Sequence, residues 1–125
     1  MPLRLKGGTD MQSENVIVQL ALSVLFIKDQ CSAWVAQCLQ FDIAAQGRSL
    51  KDAQKAFERV IHGQIMLDLH QGRQPLAGIK QAPREYWSMF EESERLADHR
   101  PLRLPEGIPP AFMIAASQDQ RVWGY

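Results

Sequence analysis

An α+β fold is what this sequence predicts: a small antiparallel sheet covered by one long helix, with a second helix and a proline-rich stretch after it. Three observations predict it. Between residues 15 and 27 apolar side chains fall on every second position (Val16, Val18, Leu20, Leu22, Val24, Phe26), the period of a half-buried strand. Two shorter β-forming runs, 31–39 and 43–46, follow behind the polar interruption Lys28-Asp29-Gln30 and the break Gln40-Phe41-Asp42. From 49 to 71 the period changes to that of an amphipathic helix.

Taken in order, residues 1–14 carry two glycines, scattered charge and no period, and read as a leader. The apolar run after them is about twelve residues, short of the ~20 a membrane span needs, and its period is not that of a signal helix. Its even face is wholly apolar and its odd face mixed, so one face is expected to be buried. At this length a bend, a bulge or a frayed beginning is expected too. The second run pairs antiparallel with the first across a hairpin-length turn, and Gly47 ends the third.

The helix opens on Ser49 as N-cap, with Asp52 three residues on as capping-box partner, and stops at Gly72. Leu50, Ala53, Ala56, Phe57, Val60, Ile61, Ile65 and Leu67 share one half of the helical wheel, the half expected to dock on the sheet. Met66 and Leu69 fall outside that arc and hint at a second contact. Pro83 suits the first position of another helix reaching about residue 97, which would cover the Met66 and Leu69 end or a neighbouring subunit. Four prolines between 100 and 110 impose an extended tether, and the apolar residues of the last fifteen allow one or two short terminal strands. The domain reading is a leader at 1–14, a β-β-β-α domain at 15–72 and a helical, proline-rich extension at 73–125.

Fourteen basic and fourteen acidic residues cancel, so charge does not indicate a nucleic-acid partner. Cys31 and Cys38 have opposite strand parity and cannot bridge each other; they read as buried or semi-buried thiols of a reducing, cytoplasmic protein. His62 and His70 lie about 80° apart around the helix and roughly 12 Å apart along it, which is not a metal-ligand spacing. They read as polar-face residues, and no metal or cofactor is expected. Cys38 shares parity with Trp34 and Ala36, which makes it a packing residue rather than a nucleophile. Glu91-Glu92-Ser93-Glu94 reads as a solvated helix face. Asp42 is the one acid near a strand end, too few for a two-metal nuclease, so no catalytic residue is assigned.

What remains is protein binding. Ile17, Ala21 and Leu25 on the first strand, with Ala33, Val35 and Leu39 on the second, would leave the sheet's other face apolar and open to a partner or a second copy. Phe41, Asp42 and Gln46 are the candidate contact residues, because a strand-end loop lets an aromatic and a polar group both reach outward.

Two sub-motifs, Trp34-Val35-Ala36-Gln37-Cys38 and Gly47-x-Ser49-Leu50-x-Asp52-Ala53, carry a family resemblance. In order and spacing, residues 15–72 resemble the HicB-like family, the antitoxin half of the HicA/HicB toxin–antitoxin pairs, with its partial RNase H-like fold. The matching positions are Trp34, Ala36, Cys38, Asp42, Gly47, Ser49, Asp52 and Ala53. The resemblance implies a non-enzymatic domain that forms dimers or higher assemblies and binds a small basic ribonuclease toxin. The departures are the loop after Cys38, without the family's prolines and glycine, and a C-terminal half with no DNA-binding module. This looks like a stand-alone HicB-like domain with its own extension, or an orphan structural or regulatory homodimer; direct DNA binding is not expected.

Overall fold

The computed structural model describes residues 16–96, 102–108 and 112–123. The leader at 1–14 lies outside them, as does part of the proline-rich stretch. In chain order the elements are β1 (Val16–Lys28), β2 (Trp34–Cys38), β3 (Ala44–Gly47), α1 (Leu50–His70), α2 (Arg84–Glu91), β4 (Glu94–Arg95) and β5 (Phe112–Trp123). The strands form one sheet in the order β3-β2-β1-β5-β4.

The α+β class holds, but the sheet is mixed. β1–β2, β2–β3 and β4–β5 pair antiparallel, whereas β1 and β5 run parallel through twelve residue pairs, from Val16 with Phe112 to Ile27 with Trp123. The long run of β1 has a partner strand beside twelve of its thirteen residues in unbroken register. That partner comes from the end expected to hold at most short strands. The sheet thus draws strands from both sides of Gly72.

The even face of β1 is buried as its period requires: Val18, Leu20, Leu22, Val24 and Phe26 join Ala36, Cys38, Phe57, Ile61, Ile65 and Val122 in one core. α1 packs on β2 and β3. Ser49 has extended backbone, and its Oγ accepts from the Asp52 N–H at 3.0 Å, the N-cap expected of it. Gly72, at φ +74, follows the helix. Phe57, Ile61 and Ile65 supply roughly 1.5–3 kcal/mol each on burial, an upper estimate. The apolar arc is narrower than the wheel implied, because Val60 and Leu67 are 41% and 47% exposed.

Three polar links fasten the layers. Gln54 Nε2 donates to Gln120 Oε1 at 2.7 Å, and Gln120 Nε2 to Gln118 Oε1 at 2.9 Å, so the glutamines of β5's inner face stay bonded beneath α1. His62 Nε2 is hydrogen-bonded to the Arg103 carbonyl. Residues 102–108 thereby follow α1, with Leu102 in the core and Gly107 close to Met66. His62 is therefore a half-buried anchor, not a free polar-face residue, and Met66 finds its second contact here.

Asp68 makes the third link. It is 3% exposed, yet it accepts from Arg73 Nη2 at 2.8 Å, Gln64 Nε2 at 3.1 Å and the Leu76 N–H at 2.8 Å. The last bond holds fully buried Leu76 at φ +65, a left-handed backbone that costs a branched residue about 1–2 kcal/mol. The chain then returns to the sheet: Asp42 N–H donates to the Lys80 carbonyl at 2.7 Å and Ala82 N–H to that of Leu39 at 3.0 Å.

α2 is shorter than expected, stopping at Glu91, and it lies against β5 rather than over the Met66 and Leu69 end. Arg121, on the face away from α1, stands 4.6 Å from the Phe90 ring centroid, a cation–π contact, and Asp119 lies 3.5 Å from both Arg95 and Arg121.

Candidate functional site

The sheet face away from α1 is divided rather than open throughout. Leu25 and Leu39 are fully buried, whereas Ile17 and Met113 are 66% and 53% exposed and Ala21, Ala115 and Ser117 are exposed beside them. The open part belongs to β1 and β5, not to β1 and β2 as the sequence suggested. A shallow concavity of ≈ 190 Å³ lies between Gln19, Ala21, Ala115 and Ser117.

The three candidate contact residues do not form one site. Phe41 is half-buried and packs against the core, so its ring is a structural group rather than an outward contact. Asp42 is exposed, and its Oδ1 accepts from Gln37 Nε2 at 3.0 Å, which also places its carboxylate on the face away from α1. Gln46 is exposed on β3, paired with Val35 on that same face. Four residues of extended chain, on the order of 13 Å, separate Asp42 from Gln46. Gln46 borders a different concavity, of ≈ 370 Å³, shared with Cys31, Ser32, Ala33, Gly47 and Arg48. Gln46 lies on β3, an edge strand whose outer backbone groups have no strand beside them among the described residues, whereas Asp42 precedes that strand and gives its own N–H to the Lys80 carbonyl.

The motif residues have structural roles. Ala36, Cys38 and Ala53 are fully buried and Trp34 nearly so. Trp34 pairs with Gly47, where a β-carbon would stand 2.4 Å from the Ala53 nitrogen and 2.6 Å from the Asp52 carbonyl carbon. Glycine is therefore required by the close approach of the first turn of α1. Burial pushes the Cys38 thiol above its usual pKa, outweighing backbone hydrogen bonds from Phe41, Gln40 and Leu39 that lower it. Cys31 is exposed and lies in the turn, not on the strand, which corrects its reading as a buried or semi-buried thiol. The Asp29 carboxylate closes that turn by accepting from Cys31 N–H and Ala33 N–H at 2.8 and 2.9 Å.

Comparison with protein-family models, curated proteins and solved structures found no match. The site is thus read from its own chemistry. Among the described residues no group of three or more His, Cys, Asp or Glu side chains is placed to hold a metal ion. No helix among them is long and apolar enough to cross a membrane. What the arrangement offers is surface: a free edge strand, two exposed polar side chains beside it and an exposed apolar end on the sheet.

Proposed function

We propose that this chain is a non-enzymatic, cytoplasmic protein-interaction module of the HicB antitoxin kind, binding and neutralising a small basic ribonuclease toxin resembling HicA. In this reading it works as a homodimer, without a cofactor and without binding DNA directly. The observation that carries the reading is the β-β-β-α arrangement: β3-β2-β1 lie side by side in antiparallel order with α1 packed on one face. The corner residues Gly47, Ser49 and Ala53 serve the close turn between strand and helix. Gln46 on the edge strand and Asp42 in the loop before it supply exposed polar groups, one of them an acid suited to a basic partner.

The test is an affinity pull-down of the tagged full chain at native expression level, with mass spectrometry of the co-purifying proteins. A small basic protein recovered in stoichiometric amount, and lost with Asp42→Lys and Gln46→Ala combined, is the expected result. Absence of any such protein overturns toxin binding. The alternative, an orphan structural or regulatory homodimer, is favoured by a separate observation, the exposed Val60 and Leu67 on α1.

A further inference from the structure

The outer side of α1 carries an apolar stripe that the sheet does not use. Ala56, Val60, Gly63 and Leu67 follow one another at steps of four, three and four residues, the spacing of a helix–helix seam. Val60 and Leu67 stand well exposed, and a β-carbon on Gly63 would meet nothing within 4 Å. Residue size alternates along the stripe: small, large, small, large. The alternation is symmetric about the midpoint between Ile61 and His62. When a second α1 runs antiparallel about that point, Val60 of each copy faces Gly63 of the other, and Leu67 faces Ala56. Each bulky side chain then meets a notch, as an interface with two-fold symmetry requires.

The helix ends select the same direction. One border of the stripe is neutral, with Gln64 and Gln71; the other carries Asp52 in the first turn of α1, Arg59 in the middle and His70 in the last turn, all exposed. Antiparallel pairing in this register brings Asp52 of each copy beside His70 of the other and sets each helix N-terminus beside a C-terminus. Parallel pairing would instead set the two helix dipoles side by side in the same sense.

We propose that α1 is the self-association surface of this protein, two copies packing antiparallel through Ala56, Val60, Gly63 and Leu67. The proposal rests on the homodimeric part of the reading above and is separable from toxin capture, which a monomer could perform. The stripe between Asp52 and His70 is about 28 Å long and about 10 Å wide, so it offers on the order of 300 Å² per copy against about 800 Å² for a standard interface. The dimer is accordingly weak and concentration-dependent.

Sedimentation equilibrium of the full chain over about two decades of concentration up to about 1 mM tests it. The mass should rise from one copy toward two, and Leu67→Glu, at an exposed position, should hold it at one copy with an unchanged circular dichroism spectrum. For the register, Val60→Cys and Gly63→Cys proteins, each also carrying Cys31→Ser, are mixed and oxidised with diamide. Cross-linking between the two variants should exceed that of either alone. A monomer at the highest concentration, or a dimer indifferent to Leu67→Glu, overturns the surface; the second result would move attention to Ile17 and Met113. Preferential linking of Val60→Cys to itself overturns the antiparallel register.

Discussion

Replacing Asp68 by alanine tests whether one buried carboxylate organises the return of the chain from α1 to the sheet. Of its three donors, the Arg73 guanidinium belongs to a side chain 53% exposed and can go back to water. Gln64 is part-buried and loses little. The Leu76 N–H cannot recover: the residue is fully buried, and without Asp68 its donor has no acceptor while the backbone stays in the left-handed region. An orphaned buried donor costs about 1–3 kcal/mol and a lost charge-assisted bond about 1.5–3 kcal/mol; since they overlap here, about 2–4 kcal/mol is expected. Arg73→Ala removes the ion pair but leaves the Leu76 bond, so it should cost under about 1 kcal/mol. Urea unfolding of the two variants and the parent, with the slope as a check on two-state behaviour, measures both values. In thermal unfolding the Asp68→Ala loss corresponds to a fall on the order of 10 °C for a chain of this size. If Asp68→Ala stays within 1 kcal/mol of the parent, or Arg73→Ala costs as much, the carboxylate is not the clamp described.

Three further outcomes follow from single positions. Gly47→Ala places a carbon into the backbone of Asp52 and Ala53 and should destabilise by about 1–3 kcal/mol, read as a lower urea midpoint. Gly63→Ala has open space and a helical backbone, so it should stabilise by about 0.5–1 kcal/mol; a loss at low protein concentration would contradict the open environment. Thiol alkylation of the native protein should modify Cys31 first and leave Cys38 protected. Because burial raises the Cys38 pKa, its contribution to stability is complete below the pKa of the unfolded thiol and is lost as pH rises toward the folded value, so unfolding should become easier in that alkaline range.

Local signals in the sequence are legible where period and capping agree. The alternation of β1, the Ser49 cap and the Gly72 stop each depend on neighbouring residues and survive into the structure. Contacts distant along the chain left weaker marks. β5 alternates little beyond Ile114, because its inner face carries Gln118 and Gln120, bonded to each other and to Gln54, where apolar residues would have announced a strand. Asp68 has no sequence signature either: an acid on the docking side of a helix reads as an irregularity until the loop that it binds is in place. A helical wheel places Val60 and Leu67 with the core because it counts apolar residues without knowing where the sheet ends. The candidate contact residues fared unevenly for a similar reason, as Phe41 turns to the core while Asp42 and Gln46 stay outside.

The parallel pairing of β1 with β5 also fixes an order of events. β1 gains its β2 neighbour through a short hairpin, but its other side is completed only by residues 112–123, after both helices have been made. Closing so long a loop is slow, and until it closes the longest apolar strand of the protein presents an unpaired edge. During synthesis that edge is open to whatever strand arrives first, so the last-described strand protects the first from aggregation as well as completing the sheet.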